Sequence, residues 1–82
     1  MVTPEAVEAK LIEVAARVFK KPASEIKTAS RFKEDLGADS LDVTVALFEF
    51  EDAFNLTIPD SEVLKMKTVG DVVRYVTQVT KT

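Results

Sequence analysis

The chain of 82 residues contains no cysteine and no histidine. Without Cys there is no disulfide, no thiolate metal ligand and no thiol nucleophile. Without His the usual neutral-pH proton shuttle and the commonest metal ligand are missing. An ordinary hydrolase or a zinc site is therefore not expected. No basic stretch followed by an apolar core opens the sequence, and no apolar run approaches the roughly 20 residues that a bilayer span needs. The expected location is cytoplasmic, or an organelle matrix if a targeting segment has been removed. Repeats, low-complexity tracts and linkers are also missing, so residues 1–82 are expected to form one small domain. With 46% apolar residues, the chain can build a modest core without metals or disulfides.

One further absence is local. Residues 34–62 contain no Lys or Arg, against nine acids: Glu34, Asp35, Asp39, Asp42, Glu49, Glu51, Asp52, Asp60 and Glu62. The flanks are basic, with seven bases against four acids over 1–33 and four against one over 63–82, so the net charge is only −3. The acidic block repels nucleic acid and attracts basic protein surfaces, which argues against a DNA-binding bundle. Its charges are expected to repel one another, so salt would stabilise the fold. Acidification toward about pH 5 would do the same if crowding raises the folded-state carboxyl pKa values.

What is present is helical periodicity. Thr3-Pro4-Glu5 reads as a helix start, and Val7, Leu11, Val14, Ala15 and Val18 recur on one face, with Pro22 closing the helix. Residues 22–38 lack a sustained period and form a long connection, pinned by Ile26, Phe32 and Leu36, in which Ser24 or Thr28 is placed to cap a brief turn. A second helix spans about Ser40 to Phe54, with Val43, Leu47, Phe50 and Phe54 on a core arc flanked by Ala46 and Ala53. Its opposite side carries Leu41, Val45, Phe48 and Asp52, edged by Asp42 and Glu49, an unusual solvent face for a monomer. Asn55-Leu56-Thr57-Ile58-Pro59 breaks it. Asp60 then caps a short third helix, with Val63, Leu64 and Met66 placed to pack inward. Thr68-x-x-Asp71 opens a fourth helix whose stripe is Val69, Val72, Val73, Val76 and Val79. Its valines also suit a strand, but the cap and the 3.6 period favour helix.

Most chemical motifs fail on inspection. Gly37 and Gly70 stand alone, so there is no phosphate loop. Asp35, Asp39 and Asp42 lack EF-hand spacing, because Ala46 stands where the twelfth-position Glu belongs. Gly37-x-x-Ser40 is no nucleophile elbow, and no His activates the hydroxyl. Paired carboxylates for acid–base work would need a cleft that so small a bundle hardly provides.

Ser40 is nonetheless well placed. Asp39 is a good N-cap, and Asp42 can reach back to it in a capping box. Ser40 then occupies the first turn, its hydroxyl pointing outward from an element tip, accessible to another enzyme. The plain alternative is that Ser40 is a second cap residue and nothing more.

The surrounding pattern weighs against that alternative. Glu34-Asp35-Leu36-Gly37-Ala38-Asp39-Ser40-Leu41-Asp42, then Ile58-Pro59-Asp60, then Thr68-Val69-Gly70-Asp71-Val72 resemble the discrete acyl carrier proteins over essentially the whole chain. The resemblance implies an all-α fold, a right-handed four-helix bundle with a long loop between helices 1 and 2 and a short third helix. It implies that Ser40 carries 4′-phosphopantetheine, transferred from coenzyme A by a separate phosphopantetheinyl transferase. The arm would supply the thiol that the chain lacks and hold acyl groups as thioesters, with no catalytic residue in the chain itself. Asp39 and Asp42, with Leu41, Val45, Phe48, Glu49 and Asp52, then form a landing surface for acyl-processing enzymes with basic surfaces. Phe32, Val43, Ala46, Leu47, Phe50, Ile58, Val63 and Met66 are candidates to line an acyl pocket between the second and third helices, or equally to be packed core.

The sequence departs from the family pattern at Val45, where an acid is usual, and at Phe48, where Met is usual. The leading expectation is a monomeric carrier of fatty acid biosynthesis. The alternatives are a specialised carrier for a polyketide, lipopolysaccharide or other dedicated acyl pathway and, from a different class, an acidic helical adaptor.

Overall fold

The two longest helices of this chain start at side-chain caps and end at left-handed residues. The computed structural model describes residues 3–80; residues 1, 2, 81 and 82 of the expected domain lie outside the described part. Helix α1 runs Pro4–Phe19. The Thr3 hydroxyl accepts from the Ala6 N–H at 3.1 Å, with Pro4 in the first turn and Glu5 beside it. The helix ends at Lys20, which adopts φ 57° and donates its N–H to the Ala16 carbonyl. Termination thus precedes Pro22, which instead leads into a 3₁₀ turn over Ala23–Glu25. Val7, Leu11, Val14 and Ala15 form the buried face of α1, with Val18 only partly buried.

The long connection is a wall of the core. Ile26, Phe32 and Leu36 are all buried, and Ala38 joins them. The 3₁₀ turn has no side-chain cap, so neither Ser24 nor Thr28 plays the capping role expected of it. Thr28 offers its backbone carbonyl to the Gly70 N–H at 2.8 Å. That approach is close enough that a Cβ at Gly70 would stand 3.0 Å from the same oxygen. Two further bonds stitch the connection to the chain ahead of the last helix: Val69 N–H to Ser30 O and Phe32 N–H to Lys67 O, both 3.0 Å. Arg31 and Thr68 pair between them as an isolated antiparallel bridge.

Helix α2 spans Ser40–Phe54 and ends at left-handed Asn55. Helix α3 is a single turn, Asp60–Val63, and buries none of its residues fully. Pro59 occupies its cap position with no side-chain hydrogen bond, so Asp60 is the first helical residue and caps nothing. Met66 is buried and Val63 partly so, but Leu64 is 76% exposed. Residues three apart share a helix face and an adjacent residue does not, which puts Val63 and Met66 inward and Leu64 outward.

Helix α4, Val69–Thr80, is helical despite its valines. The Thr68 Oγ1 accepts from the Asp71 N–H at 3.2 Å, while Asp71 Oδ2 accepts from Thr68 N–H at 3.1 Å and Lys67 N–H at 2.8 Å. Val69, Val72, Val73 and Val76 are buried; Val79 is 47% exposed, so the stripe ends one turn earlier than expected. Helix α1 packs against both α2 and α4, and the buried side chains form one core. The architecture is the expected all-α one, with the long gap between α1 and α2 and the short α3.

Candidate functional site

The approach to α2 is built to present its first turn. The bends over 32–36 end at Gly37, whose φ of 67° is easily adopted only without a Cβ. The chain then returns so that Ala38 N–H reaches Phe32 O at 2.9 Å. An Arg31–Asp35 clamp holds the same bends: Asp35 Oδ2 accepts from Arg31 N–H at 2.8 Å and Nε at 3.1 Å, and Oδ1 from Nη2 at 3.2 Å. The Arg31 guanidinium hydrogen bond, aided by the Arg31 backbone N–H, lowers the Asp35 pKa. These contacts outweigh the desolvation that pushes the same carboxyl the other way.

A reciprocal capping box follows, with Asp42 N–H donating to Asp39 Oδ1 at 2.8 Å and Asp39 N–H to Asp42 Oδ2 at 3.2 Å. Ser40 stands between these acids as the first residue of α2 and is exposed. Its backbone carbonyl accepts from Thr44 Oγ1 at 2.9 Å, while its hydroxyl bonds to no other described residue. A free hydroxyl on a rigid tip, with carboxylates and no imidazole around it, suits modification by another enzyme better than catalysis.

Ser40 opens onto a groove of about 340 Å³. Its walls are Phe32, Lys33 and Glu34 from the connection, Val43 and Thr44 from α2, and Val63, Leu64, Met66 and Lys67 from α3 and beyond. Behind it lies a cavity of about 10 Å³, bounded by Phe32, Val43, Ala46, Leu47, Phe50, Val63 and Met66. Seven of the eight pocket candidates thus surround one space, barely large enough for a water. Ile58, the eighth, is buried but does not line it; its N–H donates to Glu51 Oε2 at 2.7 Å. Lys33, Glu34, Thr44, Leu64 and Lys67 also line the groove but were not among the site residues expected from the sequence. All but Glu34 adjoin a residue selected from the sequence, but the 30–32 to 67–69 stitching is what brings the connection beside the chain after α3.

The outer face of α2 is as the wheel placed it. Leu41 is 70% and Phe48 65% exposed, and Val45 is also exposed, among exposed Asp39, Asp42 and Asp52. Glu49 is partly buried and pairs with Arg17 of α1 at 3.2 Å. No helix among the described residues is long and apolar enough to cross a membrane.

Comparison with known proteins agrees with this geometry. The family described as "Phosphopantetheine attachment site" matches residues 9–76. A protein of Rickettsia massiliae (strain Mtu5) named acyl carrier protein is 45% identical over 76 residues, covering 93% of this chain and 88% of its own length. Another of that name from Wolinella succinogenes is 50% identical over 64 residues, covering 78% of this chain and 84% of its own.

Proposed function

The chain belongs to the acyl carrier protein family, a family of carriers rather than enzymes, and from that premise we propose that Ser40 is its attachment residue. The family's cofactor is 4′-phosphopantetheine, which supplies the thiol for thioester formation. The residues fit that group: the Ser40 hydroxyl is exposed and unpartnered at the mouth of a groove that is partly apolar and partly charged. That free hydroxyl, held out by the Asp39–Asp42 box, is the observation that carries the assignment.

In this reading residues 1–82 act as one acyl-carrier domain of cytoplasmic fatty acid biosynthesis. Asp39, Asp42 and Asp52 steer partners with basic surfaces, and Leu41, Val45 and Phe48 supply apolar contact. The acyl chain is sheltered among the residues around the inner cavity. Because that cavity is smaller than any acyl group, shelter requires the one-turn α3 to move away from α2. The exposed Val45 and Phe48 also favour a second reading, a carrier dedicated to a specialised acyl pathway.

Incubation with coenzyme A and a phosphopantetheinyl transferase, followed by intact mass, tests the assignment. Wild type is expected to gain one phosphopantetheinyl group and Ser40→Ala none, with both folded. Addition at Ser24 or Ser61, or none with a competent transferase, overturns it.

A further inference from the structure

The phosphodiester created at Ser40 would enter an awkward electrostatic setting. The Asp39 and Asp42 carboxylates flank Ser40 and are fixed there by the capping box, 2.8 and 3.2 Å from each other's backbone N–H. A phosphate on this turn therefore meets two like charges, which offset the attraction of the helix N-terminus. The acidic block from 34 to 62 contains no base to compensate. The cations that line the groove onto which Ser40 opens come from outside the block: Lys33 and Lys67.

Their position is fixed by backbone bonds. Phe32 donates its N–H to Lys67 O at 3.0 Å and accepts from Ala38 N–H, two residues before Ser40, at 2.9 Å. Lys33 follows Phe32 directly, so one short ladder carries both lysines and the approach to Ser40. The neighbouring cations are committed elsewhere: Arg31 to Asp35 at 3.1 Å and Glu34 at 3.6 Å, and Lys65 to Glu62 at 3.4 Å. Lys33 and Lys67 form no ion pair with any described residue. Glu34, which lines the same groove, is engaged by Arg31.

We propose that Lys33 and Lys67 form a two-lysine cradle for the phosphodiester on Ser40, holding the root of the arm across the groove mouth. The inference rests on attachment at Ser40 and adds the ligand chemistry of the groove's two lysines. The lysines balance the carboxylates of the capping box and direct the arm along the groove between α2 and α3, rather than over the exposed face of α2. The contact is charge-based and open to water, so it weakens as salt shortens the Debye length from about 10 Å at 0.1 M to about 3 Å at 1 M.

The test compares lysine side-chain ammonium signals by ¹⁵N NMR at low salt in three samples. These are the apo protein, the apo protein with free coenzyme A, and the holo protein verified by intact mass. The Lys33 and Lys67 signals are expected to shift and their protons to exchange more slowly in the holo sample alone, with Lys65 unchanged and the effect lost in about 1 M salt. In Lys33→Gln/Lys67→Gln, the holo ³¹P line should sharpen relative to wild type as the arm root is freed. Identical lysine signals in apo and holo protein overturn the cradle while leaving attachment intact. Equal shifts with free coenzyme A also overturn it, since the lysines would then bind the unattached coenzyme. Failure of the wild type to load refutes the Ser40 assignment itself, which the mass measurement reports separately.

Discussion

The α1–α4 contact and the seam between α2 and α3 differ in how tightly they are closed. Helix α1 packs on α4, and Val7, Leu11 and Val14 of the one and Val69, Val72 and Val76 of the other are all essentially inaccessible. Between α2 and α3, only Ala46 and Phe50 of α2 are fully buried, α3 buries nothing completely, and a small cavity remains. The first is a platform of small branched side chains, inaccessible at its centre. The second is a seam between a long helix and a single turn, with an open groove above it. A carrier needs both: a scaffold that stays folded while cargo changes, and a side that yields.

Substitutions on the two sides measure that contrast directly. Leu11→Ala is expected to cost about 3 kcal/mol or more, because the site is closed on all sides and cannot collapse. Leu47→Ala, at a half-buried residue already bordering the cavity, is expected to cost about 1–2 kcal/mol. Chemical denaturation of the two variants decides the matter, and equal losses would erase the distinction.

The α4 platform also makes a pH prediction. Burial pushes the Asp71 carboxyl up, but the Lys67 and Thr68 backbone N–H groups, the Thr68 hydroxyl and Arg74 outweigh it and lower its pKa. Asp35, at the approach to α2, is lowered too. A depressed folded-state pKa means that the folded protein binds fewer protons, so the contribution is complete above the unfolded value near about 4 and is lost as pH falls through the folded one. Stability should therefore decline on acidification below about pH 4. Asp71→Asn should cost about 1 kcal/mol at neutral pH and flatten this decline, read from melting temperatures across pH 3–7. An unchanged acid limb would show that the cap does not govern it.

The smallest stability effect is expected on the outer face of α2. Phe48→Ala should change folding by less than about 1 kcal/mol, as exposed substitutions usually do. It should nevertheless weaken binding of a cognate acyl-processing enzyme by about 1–2 kcal/mol, measured by titration of the loaded carrier. A folding loss of about 3 kcal/mol would show that Phe48 is core.

Much of this was legible in the residues because its causes are local. Thr3-Pro4, Asp39 with Asp42, and Thr68 with Asp71 set three helix starts through contacts within four residues, and those starts appear as read. The 3.6 period told the buried from the wet side of α2, including Leu41, Val45 and Phe48. Local reading failed where a single turn or a distant contact decides. Leu64 points outward because α3 is too short to bury two sides, and Asp60 caps nothing because Pro59 takes the cap position. Lys20 rather than Pro22 ends α1 by adopting a left-handed conformation that no lysine announces.

The position and availability of the Ser40 tip were determined by sequence alone, since a cap and a helical turn are properties of consecutive residues. What the hydroxyl faces was decided only by tertiary structure. Lys33 and Lys67 lie 34 positions apart and line one groove with Ser40 because backbone hydrogen bonds at Phe32 join two distant segments. Hydrogen bonds between segments so far apart leave no periodic trace in either one.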